Sequence, residues 1–255
     1  MNTTTLEASA AAVTPAPSWV QKLRRLNYWL VQDCGGGPRP WKLAWVINFQ
    51  KVTTAAFLGA LMFWYAEDSP MALSTPAWVL LAMHGSYGFV WLLKDLAFPD
   101  PGWQSKVTIA GGMNAFVMVL GPYWAFGWLL ISGQSSADYP LPQMAWLALC
   151  ISLCMLGCAL MIAADAQKFF TLRLQRGLIS DGVHRYIRHP NYLGEMLIYL
   201  SLALVVWHWV PVLILGYVWL GIFLPNILCK EASLSRYPKW SRYKQRSWLL
   251  LPGLV

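Results

Sequence analysis

The string Val183-His184-Arg185-Tyr186-Ile187-Arg188-His189-Pro190-Asn191-Tyr192-Leu193-Gly194-Glu195 gathers side chains with which a protein does polar chemistry. Guanidinium forks such as that of Arg188 bind phosphates, an amide such as that of Asn191 orients a ligand, and rings such as Tyr186 and Tyr192 stack on an aromatic group. A segment upstream adds Asp165, Lys168, Arg173 and Arg176, and the tail adds Lys230, Glu231, Arg236, Tyr237, Tyr243 and Arg246. This mixture is what a phosphate-bearing aromatic cofactor requires. A basic loop drawn to lipid headgroups has the same composition, and composition does not choose between the two. Glu195 is more specific, because it already lies in an apolar stretch, where a carboxylate is costly unless it faces a polar cavity or a ligand. Asn191 reads similarly, whereas Pro190 starts a helix where a missing N–H is harmless and Gly194 permits close approach.

Other chemistries fail on spacing. His184 and His189 lack Cys or carboxylate partners at metal-binding intervals, so no zinc site is expected. Gly35-Gly36-Gly37 runs into Pro-Arg-Pro rather than a helix-opening Lys-Ser or Lys-Thr, and there is no Gly-x-Ser-x-Gly elbow or dinucleotide fingerprint. Any cofactor must therefore be held by the fold at large. Cys150, Cys154 and Cys158 repeat every four residues and share one helix face with Gly157 as small packing groups, not as a disulfide framework.

The elements that must position these residues are membrane helices. The chain is 57% hydrophobic and 12% charged, with 16 Trp, against roughly 25% charged in an ordinary soluble domain. Apolar runs long enough to cross a bilayer occupy Leu43 to Ala66, Ala77 to Phe98, Val107 to Ser132 and Met144 to Ala164. The longer stretch Tyr192 to Cys229 supplies two more, divided by the turn Trp207-His208-Trp209-Val210-Pro211. The connections 67–76, 133–142 and 207–211 contain no Lys or Arg, while the alternate connections and both ends are basic. The expected fold is thus an all-α, polytopic integral membrane helix bundle of about six transmembrane helices with both termini cytoplasmic. Residues 1–18 read as a disordered tail and 19–40 as an interfacial segment, with Val20, Leu23, Leu26, Leu30 and Val31 at helical spacing. Residues 41–255 read as one membrane domain whose cytoplasmic cap is 165–195 and 230–252. The net charge of +8 fits this topology and anionic lipid, with no nucleic-acid module and no obligate protein partner evident. Lys51 falls inside the first span, either as a functional charge or as one that snorkels to the interface.

Asn191-Tyr192-Leu193-Gly194-Glu195, preceded by Arg188-His189-Pro190 and followed by a span pair and a Tyr/Arg-rich end with Leu251-Pro252, resembles the steroid 5α-reductase family and its DUF1295-like relatives. Delta-14 sterol reductases are similar in the same stretch. The likeness covers about residues 158–255; upstream it rests mainly on His84-Gly85-Ser86-Tyr87-Gly88-Phe89-Val90-Trp91. It implies a membrane enzyme that uses NADPH to reduce a carbon-carbon double bond conjugated to a carbonyl, on a steroid-like, isoprenoid or fatty substrate drawn from the bilayer. The compartment would be a bacterial inner membrane or the endoplasmic reticulum, with the active-site mouth facing the cytoplasm. The resemblance places the cofactor among Asp165, Arg173, Arg176, Tyr186, Arg188, His189, Asn191, Tyr192, Glu195, Tyr243 and Arg246. It makes Tyr87, with His84 and Glu195, the catalytic candidates, an acid near the carbonyl oxygen being what a developing enolate needs. Isoprenylcysteine and phospholipid methyltransferases share Arg-His-Pro-x-Tyr-x-Gly and use S-adenosylmethionine, so they form the alternative. A non-catalytic lipid-binding or transport protein is a second one, disfavoured because the polar residues gather at one mouth.

Overall fold

The computed structural model describes residues 14–253, so residues 1–13 of the expected disordered tail lie outside the described residues. Helix α1 (Ser18–Tyr28) continues into a π-helical turn over Trp29–Asp33. Its apolar stripe turns Val20 inward while Lys22, Arg24 and Arg25 stay exposed, the pattern of a helix lying along an interface. A two-residue strand, β1 (Trp41–Lys42), leads directly into α2 (Leu43–Trp64).

Ser74 caps α3 (Thr75–Ala97) by accepting from the Ala77 N–H, with Pro76 in the first turn, where its missing donor costs nothing. The following loop returns through β2 (Lys106–Val107), which pairs antiparallel with β1. Helix α4 (Ile109–Ile131) is capped by Thr108 and loosens into a π turn and a 3-10 turn around Gly121-Pro122. Helix α5 (Gln143–Leu174) has 32 residues, a rise of about 48 Å, so one end must project beyond a hydrocarbon layer about 30 Å thick. Helices α6 (Pro190–Val206) and α7 (Trp209–Leu234) are separated by Trp207, whose φ is +50°, and by His208, whose ring accepts from the Val210 N–H. A short α8 (Trp240–Gln245) closes the described chain.

The protein is a multi-pass helical membrane protein whose helices stand where the apolar runs placed them. Five of them are long and apolar enough to cross a bilayer; α6, the remaining one of the expected six, has 17 residues and is shorter. Connections 65–74, 132–142 and 207–208 share one end of the bundle. There Tyr139 Oη donates to the Val205 carbonyl (2.6 Å) and Trp146 Nε1 to that of Leu204 (2.9 Å). The opposite end carries α1, the β ribbon, the loop 175–189 and the tail.

Helices α5 and α6 pack backbone to backbone. A Cβ on Gly157 would stand 2.7 Å from the Gly194 carbonyl oxygen, and one on Gly194 would stand 2.7 Å from that of Gly157. Cys150 and Cys154 are buried on this same face of α5, all five cysteines are unpaired thiols, and the small-residue reading holds.

Candidate functional site

Three polar side chains of α6, Tyr192, Glu195 and Tyr199, recur at intervals of three and four and therefore line one helix face. The face runs from the mouth of the bundle toward its centre. At its inner end Tyr199 is buried, stacked on Tyr123 of α4 (3.9 Å between centroids) and edge-on to Tyr87 of α3 (5.6 Å). Lys51 reaches the same point from α2. It follows Leu43 by eight residues, about 12 Å of helix rise, and is 3% exposed, so it does not snorkel to the interface. Its ammonium donates to Tyr87 Oη (3.4 Å) and to Tyr199 Oη. The rings of Tyr87, Tyr199, Trp91 and Tyr123 surround its Nζ at 4.5, 4.6, 4.9 and 5.9 Å from their centroids. His84, one turn before Tyr87, is buried with neither ring nitrogen partnered, and the buried Gln50 Oε1 also lacks a donor.

A second charged layer lies nearer the mouth. Lys94 is paired with Asp165 at 2.7 Å, with side chains 2% and 12% exposed, and its Nζ sits over Trp91 (4.1 Å) and Trp103 (4.5 Å). Its neighbour Asp95 accepts from Asn48 Nδ2 (2.7 Å). Glu195 lies between the layers: the charges acting on it are Lys94, Lys51, Asp165 and Lys230. It makes no hydrogen bond or ion pair among the described residues, and Asn191 makes none either.

At the mouth, Lys230 of α7 places its Nζ 4.5 Å from the centre of the Tyr192 ring, with Arg24 of α1 close enough to act on it. Arg24 donates to Asn226 and Asn27 to the Gly221 carbonyl, which fastens α1 across the π turn of α7. Lys168 pairs with Asp100 at 3.0 Å. Burial pushes the Asp100 carboxyl up, but Lys168 and the Gly102 N–H outweigh it and hold the group below its ordinary value.

The Arg188-His189 pair faces the tail. Arg188 Nε donates to both Glu231 oxygens (3.0 and 3.1 Å) and its Nη1 to the Ser247 carbonyl, while His189 Nε2 meets Glu231 Oε1 at 2.9 Å. The Arg188 N–H bonds the Trp248 carbonyl, the Trp248 N–H bonds that of Tyr186, and Tyr243 Oη donates to the His184 carbonyl. Burial holds His189 below its ordinary value although Glu231 opposes this, and burial pushes the Tyr243 phenol up to about 12.

Residues 115–247, just over half of the chain, match the family described as "Protein of unknown function (DUF1295)". The chain belongs to the DUF1295 family. An uncharacterized protein of Schizosaccharomyces pombe is 32% identical over 82 residues, 30% of this chain and 27% of the yeast protein's own length. The matched segment spans about a quarter of the yeast protein's length.

The DUF1295 match takes in Tyr123, Asp165, Tyr192, Glu195, Tyr199, Lys230 and the Arg188-His189-Glu231 cluster, but not α2 or α3, which supply Lys51, His84, Tyr87 and Lys94. Of the expected site residues, the structure brings Tyr87, His84, Asp165, Tyr192 and Glu195 into or beside the polar column, with Asn191 at its mouth. Arg188 and Tyr243 hold the tail, and His189 joins Arg188 on Glu231 of α7. Arg173 and Arg176 are exposed at the projecting end of α5, Arg173 over Phe169; Tyr186 is exposed under Arg185; Arg246 is exposed with Nη2 3.4 Å from the Ser180 carbonyl. The sequence singles out neither Tyr199 nor Tyr123, and it offers Lys230 only as one of the basic residues of the tail. Tyr199 carried a signal, standing four residues after Glu195; Tyr123 carried none, because its place depends on the loosened backbone of α4.

Proposed function

We propose that this DUF1295 protein is a membrane-bound, NADPH-dependent reductase of a carbon-carbon double bond conjugated to a carbonyl, acting on a lipid, steroid-like or isoprenoid substrate. One observation carries the reading: Tyr87 and Glu195, from segments more than a hundred residues apart in the chain, converge on one polar column, joined through Tyr199, which stands one turn from Glu195 and edge-on to Tyr87. A phenol buried beside an ammonium is suited to give a hydrogen bond, and then a proton, to a carbonyl oxygen that becomes an enolate. The apolar helix faces around it suit a lipophilic molecule arriving from the bilayer.

The residues at the mouth fit a phosphate-bearing nucleotide. Lys230 makes no ion pair among the described residues, Arg24 stands near it, and Asn191 and Glu195 are without protein partners there. Lys230 and Arg24 would hold phosphates, Tyr192 would offer a stacking face, and Asn191 and Glu195 would orient the ribose or carboxamide. When bound, NADPH supplies the hydride. Asp165 holds Lys94 in place behind this position. The concentration of Lys and Arg at this end of the bundle supports a mouth facing the cytoplasm.

The test is equilibrium binding of NADPH and of S-adenosylmethionine to detergent-purified protein, with Asn191→Ala and Glu195→Ala alongside. The reductase reading expects NADPH to bind and each substitution to weaken it by about tenfold or more. Binding of S-adenosylmethionine alone would replace it with a lipid methyltransferase, and binding of neither would remove the enzymatic reading of the mouth.

A further inference from the structure

An ammonium group has three donors and no acceptor. Lys51 spends two of them on the phenol oxygens of Tyr87 and Tyr199. Each phenol thereby acts as acceptor and keeps its own O–H proton, and among the described residues neither hydroxyl donates to anything. One ammonium N–H and two phenolic O–H groups are left unpaired at a single point, walled by Tyr87, Trp91, Tyr123 and Tyr199. The carboxylate whose charge acts on Lys51 is Glu195, one turn along α6 from Tyr199, and among the described residues it makes no hydrogen bond or ion pair with the ammonium. Lys51 makes no ion pair among the described residues, and Asp165 is already taken by Lys94.

A cation at membrane depth is costly, and aromatic faces offset only part of the cost. What the arrangement lacks is an acceptor that is negatively charged or becomes so. We infer that Lys51, Tyr87 and Tyr199 form an oxyanion pocket that receives the carbonyl end of a lipophilic substrate. This deepens the reductase reading and rests on it for the identity of the substrate. Donors fixed in a water-poor site act most strongly on an oxygen whose charge develops during reaction, so the pocket favours a ketone or aldehyde that passes through an enolate. The buried His84, one turn before Tyr87 and with neither ring nitrogen partnered, adds a further polar group on the same face of α3.

The probe is a long-chain 4-nitrophenol, whose phenolate mimics an enolate oxygen and is seen by its own absorbance without any nucleotide. Bound to the full chain in detergent, it is expected to be ionised at a pH where the same probe in protein-free micelles stays protonated. Lys51→Met is expected to weaken its binding by about tenfold or more. Tyr199→Phe, which keeps the ring stacked on Tyr123, should weaken it less and guards against a Lys51 variant that does not fold. A probe that ionises no more readily than in micelles, or folded variants that bind it as the wild type does, would overturn the pocket. NADPH binding on the same preparations separates the two ideas. Nucleotide binding without phenolate overturns the pocket alone, whereas phenolate without nucleotide binding leaves the pocket and removes the reductase.

Discussion

Gly88 of α3 lies directly against the backbone carbonyl of Lys51 in α2, so closely that a Cβ at position 88 would overlap it. The backbone carbonyl cannot swing aside as a flexible side chain does. This contact sets the distance from which the Lys51 side chain reaches Tyr87 and Tyr199. Gly88→Ala should force α2 and α3 apart, with a loss of about 1–3 kcal/mol from overpacking. Thermal unfolding in detergent should show a lower Tm together with loss of the nitrophenol signal. An unchanged Tm would mean that the two helices do not meet here.

Asp165 pairs with Lys94 in a nearly solvent-free setting against two stacked indole rings. Removing the carboxylate alone leaves a buried charge uncompensated, so Asp165→Asn should cost about 3–5 kcal/mol. Lys94→Met combined with Asp165→Asn should recover much of that loss. A double-mutant cycle on unfolding free energy measures the coupling, and additive effects would show that the pair is not an interacting unit.

Glu231, near the end of α7, binds both Arg188 and His189, and Arg188 in turn donates to the Ser247 carbonyl, so the start of α6, the end of α7 and the tail are held together. In Glu231→Gln the Arg188 guanidinium loses its counter-charge, and the segment 236–253 should detach more often. Trypsin should then cut after Lys244 or Arg246 several-fold faster than in the wild type, at a cost of about 1–3 kcal/mol in local stability. Equal cutting rates would argue that the backbone bonds to Trp248 suffice.

The same clasp predicts a pH dependence. Burial holds His189 below its ordinary value in the folded chain, so the released, solvated form takes up a proton first as pH falls. Its contribution is therefore intact at neutral pH and declines as pH drops through the ordinary histidine range, about 6.5, toward the lower folded value. Unfolding of the wild type followed from about pH 7.5 to 5.5 should show stability falling over this window. His189→Gln should flatten that slope, and an equal slope in both would remove His189 as its source.

What the sequence determined, it determined through period and composition. Apolar runs of bilayer length, helix-starting prolines and the Trp207-His208 turn fix where α2 to α7 lie, because a helix in lipid must satisfy its own backbone and leaves few alternatives. Gly194 was legible as a point of close approach, and the structure identifies its partner as Gly157. Glu195 was legible because a carboxylate among apolar residues needs a reason to be there.

The tertiary structure decided which polar groups meet. Lys51 is a single charge in an apolar run, and nothing local separates snorkelling from burial; only the packing of α2 on α3 through Gly88 turns it toward Tyr87. Arg188 and His189 had the right chemistry for a ligand, yet their donors go to Glu231 and the tail, an arrangement that depends on α7 returning beside α6. Lys94 and Asp165 are neutral to each other as sequence and inseparable as structure. Local spacing records which face of a helix a residue occupies, whereas the partner on the facing helix is set by packing between segments far apart in the chain, and that information is in no single stretch of it.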